Sequence, residues 1–252
     1  MLWQPQVEIA TGRVVAMEAL ARWCHPRHGA VSPAVFIPIA EATGSIVPLG
    51  RHVLDLAIRQ LASWQRLHPT LAPPRIAVNL SACQLRDDAT LGEWVQERLG
   101  AHGVAPGRLE LEVTESTLVE HRALAGALLA EMRAGGVRVA IDDFGTGYSN
   151  LANLAGLPFD VIKVDRTFVA SIGLDPRGTA VTRLILELAE RLGAETIAEG
   201  VETDDQLAWL ARMGATHVQG YRFSEPLDTP GATNVWLRQP WLRAEGLRGV
   251  LD

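Results

Sequence analysis

Short apolar runs recur along the chain, each ending on a polar residue and separated from the next by a stretch with helical spacing. Val7-Glu8-Ile9 and Val14-Val15-Ala16 flank Ala10-Thr11-Gly12-Arg13, a glycine-containing connection of hairpin length, so the first two strands are predicted to be antiparallel. Further β-rich runs at 75–81, 108–114, 137–143, 159–165, 194–199 and 216–221 bring the total to eight strands. Ser32-Pro33 offers an N-cap followed by proline at the first helical position, predicting a helix toward Gly44, and a longer helix is expected over about 47–67. Leu124, Leu128, Leu129 and Met132 stand at helical spacing within 120–134, and that pattern stops at Gly135-Gly136. Similar patterns cover 92–102, 179–192 and 204–213. Strands alternating with helices through short turns predict a parallel sheet, and eight of them favour closure. The expected fold is α/β, a (β/α)8 TIM-like barrel with an antiparallel first strand.

The residues that end the strands change the picture from architecture to chemistry. Met17 runs into Glu18, Val78 into Asn79, Leu111 into Glu112, Ile141 into Asp142-Asp143, Ile162 into Lys163, Ala198 into Glu199 and Val218 into Gln219. A parallel barrel gathers the carboxyl ends of its strands on one face, where barrel enzymes place their active sites. A single carboxylate there is commonly a helix N-cap or a solvated strand end. Seven polar ends in succession instead predict a converging site. Each pair of like charges near 4 Å costs roughly 4 kcal/mol at an effective dielectric of about 20, so Glu18, Glu112, Asp142, Asp143 and Glu199 must take up protons or hold cations. Carboxylates plus an amide oxygen, without cysteine, suit Mg²⁺ or Mn²⁺. The adjacent aspartates suggest two ions, about 3.5 to 4 Å apart as in two-metal phosphoesterases.

Lys163 shares a strand face with Val161 and Asp165, and its ammonium serves either the site or a structural salt bridge with Asp165. The segment 142–149 joins a strand to a short helix through Gly145 and Gly147, and lacks the Gly-Lys-Ser/Thr of a Walker A loop. It is either a plain turn needing positive φ or a mobile loop that sets the paired aspartates on the metals.

Composition removes several classes. A chain of 252 residues fits one barrel domain, and a net charge of −6 gives no basic footprint for a DNA or RNA polymer. Apolar residues make up 48%, but Pro, Gly or charged residues interrupt every run before it reaches membrane-spanning length. The first ten residues lack a secretory signal, so the expected location is cytoplasmic. Cys24 and Cys83 form no CxxC pair and are expected to be small core residues. The seven histidines show no HExxH, HxH or His-Asp pattern, which disfavours a histidine-based zinc hydrolase or an HD-type phosphohydrolase. His217 is expected as a hydrogen-bonded core or rim residue. Trp64, Trp94 and Trp209 read as packing residues, and Trp3, beside Gln4, as either packing or the flank of a ligand base.

Taken in order, the motifs resemble those of the EAL domain, a phosphodiesterase family specific for cyclic di-GMP, a bacterial second messenger. They are Trp3-Gln4-Pro5, Glu18-Ala19-Leu20 with Arg22-Trp23, Asn79-Leu80-Ser81, Glu112-Val113-Thr114-Glu115-Ser116, and Asp142-Asp143-Phe144-Gly145-Thr146-Gly147-Tyr148-Ser149. Lys163-Val164-Asp165, Glu199-Gly200-Val201-Glu202 and Gln219-Gly220 follow. Ala21 replaces a usual second leucine and Asn150 a usual serine, neither of them a proposed ligand. The resemblance implies one domain over 1–252, with its motif-bearing core at about 3–227 and a helical tail at about 232–252.

The same resemblance implies that Glu18, Asn79, Glu112 and Asp142 coordinate one Mg²⁺ or Mn²⁺, with Asp142 bridging to a second ion that Asp143 helps hold. Glu199 is implied as a further ligand or the base, and Lys163 as the group that orients the attacking water. Gln4, Leu20 and Arg22 are implied as nucleotide contacts, joined on the substrate side by Glu18, Asn79, Asp143 and Gln219. Glu115 is implied to brace the loop from Gly145 to Gly147, and Glu202 to complete the catalytic set. The implied reaction opens cyclic di-GMP to linear pGpG. The alternative is a catalytically silent cyclic di-GMP receptor, although degenerate members lose metal ligands or alter the Asp142-Asp143 loop and this chain does neither. Another carboxylate-metal barrel enzyme, such as an enolase-like lyase, explains the metal site but not the ordered motifs. The family also pairs through helices near that loop, making a homodimer an implied partner state, and joins regulatory or GGDEF/sensor domains in longer parent proteins.

Overall fold

The structure, a computed structural model, describes residues 1–120, 122–146 and 156–242. The hairpin of β1 (Leu2–Glu8) and β2 (Val14–Leu20) leads to a two-stranded ribbon, β3 (Trp23–His25) and β4 (Gly29–Val31), and to helices α1 (Pro33–Ala42) and α2 (Ile46–Leu67). Then come β5 (Arg75–Asn79), α3 (Ala82–Asp87), α4 (Leu91–His102), β6 (Leu109–Thr114), α5 (Glu115–Glu120), α6 (Arg122–Ala134) and β7 (Arg138–Phe144). The remainder is β8 (Val161–Val164), α7 (Arg166–Ala170), α8 (Pro176–Leu192), β9 (Glu195–Ala198), α9 (Asp204–Arg212), β10 (His217–Val218) and α10 (Thr229–Arg238). Eight strands close a barrel in the order β1-β10-β9-β8-β7-β6-β5-β2, with β1 antiparallel to both neighbours and every other pair parallel.

Alternation along each strand divides the barrel into an outside and a lumen. Outward residues such as Trp3, Val7, Met17, Ile76, Val78, Leu109, Leu111, Val139, Ile141, Ile162 and Val164 join the helices in the main core. The inward set is layered. Ala140, Val161 and Ile197 form a separate small apolar cluster at mid-height. Below it, at the amino ends of the parallel strands, Arg138 bonds Glu110 at 3.0 Å and Glu195 at 2.7 Å, and Arg75 stands 3.6 Å from Glu195. His217 closes this floor, its Nδ1 2.9 Å from the Thr216 hydroxyl. Above the apolar layer lie the polar strand ends.

Several expectations need correction. Both cysteines were expected in the core, yet Cys24 is exposed and Cys83 only half-buried. Cys24 belongs to the β3–β4 ribbon, which is a sheet of its own outside the closed barrel, and Cys83 lies in the first turn of the short helix α3. Trp3 does not flank a ligand: it is 2% exposed, donates from Nε1 to Thr229 Oγ1 at 3.0 Å and packs against Trp64. Alternation turns it outward while Gln4 faces the lumen. The last strand is shorter than 216–221 because Gly220 leaves the sheet; a Cβ there would lie 2.3 Å from backbone atoms of Val201, so only glycine fits. In the tail, α10 starts at Thr229 rather than 232, and residues 243–252 lie outside the described ones. Among the described residues no helix is long and apolar enough to cross a membrane.

Burial lowers the pKa of His217 from its ordinary value, opposed by Glu195 and reinforced by Arg75. The fold therefore favours the neutral imidazole. That contribution is fully present above the unfolded pKa of about 6.5 and is lost as pH falls from there through the lower folded value. Urea unfolding at pH 7.5 and pH 5 should show acidification shifting stability less favourably in the parent chain than in His217→Gln; equal shifts in the two proteins would refute this.

Candidate active site

Lys163 organises the upper lumen. It is 1% exposed, and its Nζ lies 2.7 Å from Glu199 Oε1, 2.8 Å from Glu112 Oε2, 3.1 Å from Asp142 Oδ1 and 3.9 Å from Glu18 Oε1. Each carboxylate comes from a different part of the chain, delivered by β2, β6, β7 and the end of β9. Burial alone would deprotonate the lysine, but Asp142, Glu112, Glu18 and Glu199 outweigh it and hold its pKa well above the ordinary value. The carboxyls respond in the opposite sense. Burial pushes Glu199 up to about 8, with Lys163 pulling down and Asp142 and Glu18 pushing up. Glu112 is raised well above the carboxylate range by burial, against Lys163 and with Glu18, Asp142 and Glu199. Asp143 is raised by burial, then by Asp142 and Asp165. Asp165 does not engage the lysine; its side chain caps α7 by accepting from Thr167 N at 2.9 Å. The structural bridge between Lys163 and Asp165 is therefore not formed.

An amide fringe surrounds the carboxylates. Asn79 Nδ2 donates to Glu18 Oε1 at 2.9 Å, and Gln219 Nε2 donates to Glu18 Oε2 at 2.5 Å and to Gln4 Oε1 at 3.1 Å. Where β7 meets β8 the register shifts between Ile141 and Phe144, and Asp143 takes φ +54°. This irregularity lets two successive aspartates serve one site: Asp142, Asp143 and Glu199 present oxygens all within 4.8 Å of one another. Just beyond, Gly145 N donates to Glu115 Oε2 at 2.8 Å, so α5 supports the start of the loop. Gly147, Tyr148 and Ser149 lie outside the described residues.

Two cavities lie on either side of the hydrogen bond between Asn79 and Glu18. One of about 260 Å³ is lined by Gln4, Glu18, Asp142, Lys163, Glu199 and Gln219. Its neighbour, of about 300 Å³, is more apolar and is lined by Leu20, Arg22, Phe36, Asn79 and Ser81. The structure thus brings together Glu18, Glu112, Asp142, Lys163 and Glu199, sets Asp143, Asn79, Gln4 and Gln219 around them, and holds Leu20 and Arg22 in the adjoining cavity. Glu202 stands exposed at the rim. Sequence reasoning missed Arg166 and Tyr221, which line the acidic cavity as an exposed cation and an exposed aromatic, and Gln6, whose Nε2 donates to Gln219 Oε1 at 3.0 Å. Only Gln6 carried a signal, because alternation from Gln4 turns it into the lumen.

Whether divalent ions fit can be judged from the donors themselves. Glu112 Oε1 is buried with no hydrogen-bond partner, and nearby Asp142, Asp143 and Glu199 form a purely carboxylate cluster. Such a set suits a hard cation. Gly145 offers a test of the loop's foundation. Its φ is +95°, and a Cβ would come within 2.8 Å of the Phe168 ring and 3.0 Å of Ile185. Gly145→Ala should cost about 1 to 3 kcal/mol in urea unfolding, and an unchanged midpoint would show that the turn is not constrained.

Comparison with known proteins gives the family. The EAL domain profile matches residues 1–226. A cyclic di-GMP phosphodiesterase of Pseudomonas aeruginosa is 40% identical over 240 residues, which is 95% of this chain and 40% of that protein. A signaling protein of Caulobacter vibrioides is 43% identical over 234 residues, 93% of this chain and 28% of the relative. The chain thus spans well under half the length of these two relatives. The PaMucR phosphodiesterase in complex with c-di-GMP superposes with a TM-score of 0.85 at 40% identity, covering 92% of either chain. With the family profile matched over residues 1–226 and the fold superposed on a solved member, the chain belongs to the EAL domain family.

Proposed function

We propose that this barrel is a phosphodiesterase that hydrolyses cyclic di-GMP to linear pGpG with Mg²⁺ or Mn²⁺. The observation that carries the reading is the cluster of Glu18, Glu112, Asp142 and Glu199 around one buried lysine, with an unpartnered Glu112 oxygen among them. Support also comes from the named phosphodiesterase relative and from the solved c-di-GMP complex. In this reading Glu18, Asn79, Glu112 and Asp142 would hold one ion, Asp142 with Asp143 would hold a second, and Glu199 would be a further ligand or the base. Bound ions supply the positive charge that an acidic protein needs for a dianionic ligand, and lower the pKa of water.

The chain's own groups do the rest. Lys163, kept protonated by its neighbours, donates hydrogen bonds and orients a water but cannot accept its proton. A carboxyl must take that proton, and Glu199, with its pKa pushed up to about 8, is suited to do so and to return it. Water adds across one P–O3′ bond, leaving a 5′-phosphate and a 3′-hydroxyl, the ends of pGpG. Gln4, Leu20, Arg22 and Gln219 contact the nucleotide from the two adjoining cavities, with Glu18, Asn79 and Asp143 at the phosphate side. Glu115 holds the Gly145 turn that follows Asp143. Glu202 closes the rim.

Incubation with cyclic di-GMP and either ion should yield pGpG, and no turnover with Mg²⁺ or with Mn²⁺ rejects the proposal. Lys163→Ala should lower kcat by about a hundredfold or more while circular dichroism stays folded; retained activity would show that the lysine has been given the wrong role. Metal binding must also displace a proton from Glu199, whose pKa is pushed up to about 8. Calorimetric titration of Mn²⁺ at pH 7 in buffers of different ionisation enthalpy should therefore report proton release, and a buffer-independent enthalpy would contradict it.

A further inference from the structure

Gln6 faces the lumen opposite Ala16, at 1% exposure and below the catalytic layer. An amide buried inside a barrel is out of place unless its polar ends are used. Its Nε2 donates to Gln219 Oε1 at 3.0 Å, and Gln219 Nε2 in turn donates to Glu18 Oε2 at 2.5 Å. A glutamine amide is nearly symmetric in shape and opposite in polarity at its two ends. An ionised carboxylate only accepts, so Gln219 must turn its NH₂ toward Glu18. Its carbonyl oxygen is then left facing into the barrel, where Gln6 supplies the donor. With Gln219 reversed, its oxygen would face the Glu18 oxygens and its NH₂ would face the Gln6 NH₂.

We infer that Gln6 is a positioning residue: through Gln219 it fixes the orientation of Glu18, the carboxylate on β2 assigned to the metal. The effect on ion binding rests on the proposed assignment of Glu18 to a metal ion, and the catalytic consequence rests in addition on the proposed reaction. Hydrogen-bonding partners behind metal ligands typically change affinity or activity by about 10- to 100-fold when removed. A residue that merely filled the lumen would alter melting and leave ion affinity untouched.

Two variants separate these roles. Gln6→Met keeps the side chain's length and removes its donor; Gln6→Glu keeps its shape and, when ionised, only accepts. Mn²⁺ affinity measured by calorimetry should fall by about tenfold in both, while the metal-free thermal midpoint of Gln6→Met stays close to that of the parent chain. Turnover of cyclic di-GMP should fall in parallel at limiting Mn²⁺ and recover at saturating Mn²⁺. Should Gln6→Glu fail to fold, Gln6→Met decides alone: a Mn²⁺ affinity within about twofold of the parent overturns the relay. A parent chain that binds Mn²⁺ without turning over cyclic di-GMP overturns the functional reading, and the relay is then still judged by affinity. A parent chain that binds no Mn²⁺ overturns both.

Discussion

One ammonium facing four carboxylates inside a barrel is the constraint on which the site depends. Lys163 cannot neutralise Glu18, Glu112, Asp142 and Glu199 together, and the carboxyls of Glu112 and Glu199 are raised first by burial and then by their acidic neighbours. Strand alternation forces the encounter, because the residues that must face the lumen at that height are the ones the strands end on. The lower floor makes an instructive contrast. There Arg75 and Arg138 meet Glu110 and Glu195 in numerical balance. The upper layer is unbalanced, and that imbalance is what suits it to ions and to an anionic ligand.

Much of this was legible in the residues. The hairpin start, the repeated strands and the polar strand ends follow from hydrophobic periodicity and from the geometry of a parallel barrel. Convergence of Glu18, Glu112, Asp142 and Glu199 needed only the rule that all carboxyl ends share a face. Lys163 illustrates the limit of that reasoning. Period-two alternation placed it on the same face as Asp165 and made a bridge between them plausible, but Asp165 stands where the chain turns into α7 and caps that helix instead.

Other features were hidden for identifiable reasons. The β3–β4 ribbon and α3 are too short to set up a period, so Cys24 and Cys83 were placed in a core they do not join. The bulge that turns both Asp142 and Asp143 toward one site breaks alternation, which is why adjacency alone suggested a shared role without giving its geometry. Gln6, Arg166 and Tyr221 carry no motif of their own, and their places follow only once the strands have closed.

The antiparallel first strand has a directional result. Seven barrel strands run toward the reactive rim, whereas β1 runs away from it and so begins there. Leu2 pairs with Leu20 and Gln4 with Glu18, so the polypeptide enters the cylinder through its mouth. Leu2 thus stands two residues from Gln4, whose side-chain oxygen accepts from Gln219 in the acidic cavity.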